Sequence, residues 1–445
     1  MARKTRDYPD DADHLPTVMD DSPSVDAGSP PPAAVPEPPG RWFILAILAL
    51  AQLLGMSLWF TASATAVQLA ALWNLDAATT ASLTTAVQIG FVAGTALAAL
   101  LNLADLVPAR TYVAGSAVLA AAANAALLVA PGPVAALVSR FFTGFFLAGV
   151  YPPAMKMAAT WFRTSRGLAI GVIVGALTVG KAAPYLIGAF TEVDYRFVVL
   201  STSAGAVFAA ALVALSYRDG PLPFPRLPFS WGLVGVIARH RETRLAIGGY
   251  LGHMWELYAM WAALSLFFYH FYVGHGMPQA GALTLAGLTT FASISIGGIG
   301  SVLGGLWADR LGRENIAAAA MAVSGACALT IGWLQSAPVW LVVTLALVWG
   351  FTVVADSAQF SALVTEVAPP HAVGTALTLQ TSLGFLLTAG TIWMTFALQQ
   401  AFGWGFAFAL LAVGPAAGIW QILRLRSSRL SRLAVSSHSA SVVKL

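Results

Sequence analysis

Five ionisable side chains stand deep in stretches that are otherwise almost free of charge. Arg140 lies in SRFFTGFFLAGVYPPAMKMAATWF and Lys181 in RGLAIGVIVGALTVGKAAPYLIG. His253 and Glu256 share GGYLGHMWELYAMWAALSLFFYH, and Asp356 lies in VWGFTVVADSAQFSALVTEVAPP. A buried arginine or lysine is a fixed donor that can hold an anion. A carboxylic acid shielded from water can hold a proton and pass it on, and histidine titrates near neutrality. His253 and Glu256, three residues apart, sit on adjoining helix faces. Two ligands do not make a metal site, and the single cysteine, Cys327, offers neither a disulfide nor a zinc cluster. No metal and no cofactor is expected.

The elements that carry these residues follow from composition. Of 445 residues, 58% are hydrophobic and only 9% charged. A soluble domain carries about 25% charged residues. That excludes a cytosolic enzyme and a disordered protein. A net charge of +4 with the basic residues confined between apolar runs also excludes a nucleic-acid binder. About 20 apolar residues cross about 30 Å of hydrocarbon. By that measure twelve spans are expected. Spans one to six fall near 42–72, 78–103, 109–130, 134–161, 167–190 and 197–217. Spans seven to twelve fall near 245–272, 280–304, 315–335, 338–366, 372–398 and 403–423. The chain therefore reads as an all-α membrane protein with two six-helix halves, 41–217 and 245–425, joined by a linker at 218–244. Residues 1–40 hold eight acids and nine prolines, which reads as a disordered cytoplasmic tail rather than a signal peptide. Residues 426–445 read as a second cytoplasmic tail.

Charge placement supports the count. With the N-terminus inside, nineteen of the 23 lysines and arginines fall in cytoplasmic segments and only Arg196 in an outer loop. Both termini are then cytoplasmic, in a plasma membrane or a bacterial inner membrane. The halves also repeat: LNLADLVPAR follows span two and GLWADRLGR follows span eight, with Asp105 and Asp309 204 residues apart. Parallel six-helix repeats mark one large class of transporters.

GLWADRLGRE resembles the signature loop of the major facilitator superfamily, G-x-x-x-D-R-x-G-R, at Gly305, Asp309, Arg310, Gly312 and Arg313. The first-half copy keeps Asp105 and Arg110, but Leu101 and Pro108 replace its glycines. With the twelve spans and the repeat, the resemblance covers residues 41 to about 425. It implies a fold in which helices one, four, seven and ten line a central cavity, with this loop as a cytoplasmic latch formed and broken during alternating access. It also implies a small-molecule substrate, a lipid environment and a monomer. Arg140, Gly144 and Gly149 resemble the family's fourth-helix arginine and glycines. The resemblance ties that arginine to substrate or proton.

Within this frame Arg140 and Lys181 are the expected anion ligands. Tyr151, eleven residues or about 20° from Arg140 on an ideal helix, joins them, and Trp255 is a stacking candidate. Glu256, His253 and Asp356 are the expected proton-coupling groups. Trp255, Tyr258 and Trp261 could stack on substrate or simply pack helices, and Lys156 near the cytoplasmic end reads as snorkelling. Gly175 to Lys181 mimics a phosphate-binding P-loop, but Ala182 stands where Ser or Thr is needed and no strand precedes it. Its glycines read as helix-packing residues.

WFRTSRGLAIG gives a looser likeness to nitrate/nitrite and cyanate-type porters. Spans two and eight as read here lack the arginines that nitrate porters use, so organic anions are the expected substrates. The alternative is a proton-coupled exporter of lipophilic or cationic compounds, with Glu256 and Asp356 as cation sites. An enzyme embedded in the membrane would need a nucleophile, base or metal cluster on one cavity, which the sequence does not show.

Overall fold

The computed structural model describes residues 38–162, 166–190, 194–222 and 230–442. The acidic, proline-rich tail lies outside these residues up to residue 37, as do Arg163 and the loop around it. Every regular element among the described residues is helical. Among the described residues eleven helices are long and apolar enough to cross a membrane. Span one makes the twelfth, but it is divided into Arg41–Met56, Thr61–Ala64 and Ala66–Trp73. The first piece is therefore too short to cross alone.

Two other spans are also broken. Span four is Pro133–Leu147 followed by Tyr151–Ala159, the break falling just before Pro152 and Pro153. A proline removes a helix donor and crowds the preceding turn, so this break has a local cause. Span ten is Val339–Ala355 and Ser357–Val367, with Asp356 at the joint. Two spans run longer than expected. Span eight extends over Gln279–Leu311, so Gly305, Asp309 and Arg310 are helical rather than in a loop. Span twelve runs on through Val413–Val442, which replaces the expected tail from 426 with helix. The linker carries a short helix, Trp231–Arg239.

The halves pack by one scheme. In the first, span one packs on five and six, span two on four, and span three on four and six. In the second, seven packs on eleven and twelve, eight on ten, and nine on ten and twelve. Adding six to each number converts one set into the other. The two-four and eight-ten crossings are built on glycine. A methyl at Gly144 would overlap the Val87 carbonyl, and one at Gly350 the Ser293 carbonyl. Between halves, span five packs on eight and span two on eleven. Five and eight meet at Gly175 and Gly298, where a Cβ on Gly298 would lie 3.1 Å from the Gly175 carbonyl oxygen. The glycines of the false P-loop are thus packing residues.

Candidate functional site

Lys181 lies on Arg166–Phe190 and is 2% exposed. Its ammonium donates to the Tyr258 hydroxyl. It also lies 4.2 Å from the ring centre of Trp59, 4.6 Å from that of Tyr258, 5.7 Å from Trp261 and 5.9 Å from Phe385. Ring faces carry negative charge density and attract a cation. No ion pair joins Lys181 to an acid among the described residues. The indole N–H groups of Trp59 and Trp261 are buried without partners. Tyr258, accepting from Lys181, has its hydroxyl hydrogen left to give. Around one ammonium the structure thus gathers further donors and no carboxylate.

Lys181 is one helical turn from Tyr185, which lines a cavity of about 710 Å³ between the halves. That volume suits a small-molecule ligand, for which about 300–1,000 Å³ is usual. The cavity sits at the bundle end that carries the loops near 75 and 278, opposite the end with the Asp309 turn. Its walls include Ser63, Thr84, Tyr269, His270 and Gln400, and no acidic or permanently charged side chain. His270 accepts at Nδ1 from Trp404 Nε1 at 3.2 Å, which leaves its proton on Nε2. The Tyr185 hydroxyl donates to the Trp261 carbonyl at 3.0 Å and ties the cavity floor to the lysine cage.

Arg140 and Trp255, expected at the substrate, are engaged elsewhere, and Tyr151 lies at the edge of the cage. Arg140, fully buried, donates from Nη1 to Asn124 Oδ1 at 2.5 Å. Its Nη2 donates to the carbonyls of Leu58 at 2.8 Å and Trp59 at 2.9 Å. Those carbonyls are opened by the break in span one, and a buried carbonyl must find a donor. Arg140 therefore serves the first half's own backbone and positions Trp59, rather than pointing at the cavity. Tyr151 begins the second piece of span four and packs against the core, within electrostatic reach of Tyr258, the partner of Lys181; the break before it undoes the shared face with Arg140. Trp255 donates to the Leu410 carbonyl at 3.0 Å, and its side chain covers Gly414, so it packs against span twelve, not the cage.

The acids form two clusters inside the second half. Glu256 accepts from Ser324 Oγ at 2.8 Å and from Trp349 Nε1 at 2.7 Å. His253 turns away from Glu256. Its Nδ1 lies 2.9 Å from Asp356 Oδ1, and its Nε2 lies 3.1 Å from Ser357 Oγ. The Asp356 contact is at ion-pair distance, although the ring N–H is not aimed along it. Helix spacing alone paired His253 with Glu256. The joint in span ten, which presents Asp356, changes the partner. Among the described residues no three His, Cys, Asp or Glu side chains converge as metal ligands.

At the opposite end Gly312 adopts φ 90°, a left-handed conformation that suits glycine, and turns the chain from span eight into nine. Asp309 is 68% exposed and only 3.5 Å from Arg313. Arg313 makes the stronger contacts, to Glu366 at 2.8 Å and Gln359 at 3.0 Å. Arg429 bridges Glu314 at 2.6 Å and Glu366 at 3.1 Å. The ion cluster at this turn thus centres on Arg313 and Glu366 rather than on Asp309. Arg310 and Arg110 are exposed, Gly305 has open space beside it, and the Asp105 side chain lies outside the described residues.

The residues overlooked in the sequence are Trp59, Phe60, Phe91 and Phe385 around the lysine, and Glu366, Glu314 and Arg429 at the turn. One signal was present. With the 204-residue offset, Trp59 falls two positions from Trp261, so spans one and seven carry matching tryptophans.

Two six-helix halves packed by one scheme around a cavity define a membrane transporter. The sequence matches the family model described as Major Facilitator Superfamily over residues 47–389. The chain belongs to that superfamily. Its fold is similar to that of a bacterial homolog of the human lysosomal transporter Spinster, solved inward-facing and unoccupied. The TM-score is 0.64 and the identity 14%, over 88% of this chain and 95% of that one. The same homolog, inward-facing and occupied, gives a TM-score of 0.60 at 15% identity, over 90% and 98%. A D-xylose-proton symporter gives 0.67 at 17%, over 86% and 97%. No curated protein matches the chain.

Proposed function

We propose that this transporter moves small organic anions by alternating access, coupled to protons, with Lys181 as the anion ligand. The observation that carries the reading is the donor excess at Lys181: an ammonium, two unpartnered indole N–H groups and a phenol, with no acid beside them. A buried donor without an acceptor costs about 1–3 kcal/mol, and more when charged. A carboxylate supplies the missing acceptors. With the basic loops in the cytoplasm, the cavity opens to the outside and Lys181 lies beneath its floor.

Glu256 and the His253–Asp356 pair are the proton sites. Among the described residues neither Arg nor Lys is bonded to them, so Glu256 is buried without a basic partner and Asp356 has only His253, and protonation relieves that cost. One structural neighbour is a proton symporter, which favours the same coupling. Export of lipophilic cations is the weaker reading, because these acids are sealed within the second half and absent from the cavity wall.

Reconstituted vesicles test it. A pH gradient should drive accumulation of a labelled carboxylate, and Lys181→Gln should abolish it. Accumulation of a lipophilic cation instead, indifferent to Lys181→Gln, overturns the proposal.

A further inference from the structure

Four rings face Lys181 directly, Trp59 from the first half and Tyr258, Trp261 and Phe385 from the second, and Phe60 and Phe91 of the first half pack against them. Trp59, Phe60 and Phe91 belong to spans one and two; Tyr258, Trp261 and Phe385 belong to spans seven and eleven. They pack across the seam. Phe91 and Phe385 have centroids 4.5 Å apart, Trp59 and Phe385 5.5 Å, and Trp59 and Tyr258 5.7 Å. Phe60 faces Tyr258 at 6.2 Å and Trp261 at 6.1 Å. The cage is therefore a closed aromatic seam with the lysine inside it. Alternating access separates the halves, and separation pulls these pairs apart into two facing aromatic walls.

We infer that the substrate is a planar aromatic monocarboxylate, whose ring enters between the walls while its carboxylate meets Lys181 and the Trp59 and Trp261 indole N–H groups. The inference rests on the organic-anion reading and narrows it. A flat ring replaces the edge and face contacts that opening breaks, whereas a puckered ring of equal size recovers only the area. A hydroxylated acid fits poorly. Its hydroxyls need acceptors as well as donors, and the side chains at the seam offer donors that the carboxylate already takes up. One lysine inside the cage balances one negative charge; Arg140 meets the cage only from behind, at the Trp59 carbonyl. The neutral hydroxyl- and amide-lined cavity above is the route by which such an acid reaches the seam.

The test is binding to the purified full-length protein of benzoate, cyclohexanecarboxylate and gluconate, read by calorimetry or thermal shift. Benzoate should bind about tenfold more tightly than cyclohexanecarboxylate, a puckered ring of the same carbon count, as one or two lost ring contacts imply, and gluconate weakest. Lys181→Gln should remove binding of all three, and Trp261→Phe should weaken binding while keeping the order. Benzoate and cyclohexanecarboxylate binding equally, both sensitive to Lys181→Gln, would overturn the planar-ring inference and leave the anion reading standing. If no acid binds, or binding ignores Lys181→Gln, both are overturned. The order on the unmutated protein decides the ring question even if a variant fails to fold.

Discussion

The two halves bury charge in opposite ways. The first half holds two cations. Arg140 spends its donors on Asn124 and two backbone carbonyls, while Lys181 has a phenol, ring faces and nothing negative. Deep in its spans the second half holds Glu256, which accepts from Ser324 and Trp349, and Asp356, which has His253 at ion-pair distance. A buried charge short of acceptors is costly, and a ligand can relieve it. Arg140 leaves only its Nε unpartnered while both Nη groups hold the first half's own Asn124 and backbone, so on our proposal Arg140 is the scaffold and Lys181 the site. The second half keeps Glu256, Asp356 and His253 off the cavity wall, while its His270 lines it.

The largest effect should come from breaking the scaffold. Arg140→Ala leaves two buried acceptors unpaired, Asn124 Oδ1 and the Trp59 carbonyl, at about 1–3 kcal/mol each, and leaves the Leu58 carbonyl only Thr61. The purified variant should melt far below the parent or fail to accumulate. Arg140→Lys should not rescue it, since one ammonium cannot span Asn124 and the two carbonyls. A melting temperature near that of the parent would return Arg140 to the site.

A second test separates coupling from binding. Glu256→Gln should lower gradient-driven accumulation at least about tenfold, an effect of about 1.4 kcal/mol, while exchange of substrate across the membrane without a gradient persists. Loss of both together would make Glu256 a structural residue of the second half. Trp255→Phe should do less. It deletes one hydrogen bond to Leu410, about 0.5–1.5 kcal/mol of stability, and should leave anion affinity unchanged. A change in affinity there would mean that span twelve's face reaches the site.

The smallest effect lies outside the membrane. Asp76 caps the helix of span two, accepting from the Thr79 backbone N–H at 2.8 Å. Hydrogen bonds from Thr79, the side-chain one foremost, hold its carboxyl below the usual carboxylate range. A depressed value means the cap is present above the ordinary carboxylate pKa and lost as pH falls through the depressed one. Amide exchange at Thr79 should therefore quicken only in acid, and Asp76→Ala should remove that dependence.

Much of the fold was legible because membrane spans are fixed by local composition: twelve apolar runs, the repeat and the basic loops all sit in plain sequence. The break before Pro152 was legible for the same reason. The break at 57–60 was not, because MSLWF contains no proline or glycine and the carbonyls it exposes are held by an arginine 81 and 82 residues away. Lys181 could be singled out by charge alone, but its cage could not. Six rings from four spans meet only after the halves assemble. His253 misled for a related reason, since helix spacing proposes neighbours three residues off while its partner stands 103 residues further along the chain.

The crossing of spans five and eight has a mechanical consequence. Gly175 and Gly298 set backbone against backbone there, with no side chains interlocked between the halves at that point. Such a contact behaves as a smooth bearing: one helix can roll on the other without any rotamer having to flip. The crossing lies between Lys181 and the ends that carry the basic loops, which is where a lever needs its fulcrum. A methyl group on Gly298 would act as a brake on that bearing, slowing the turnover of the machine without touching its cargo.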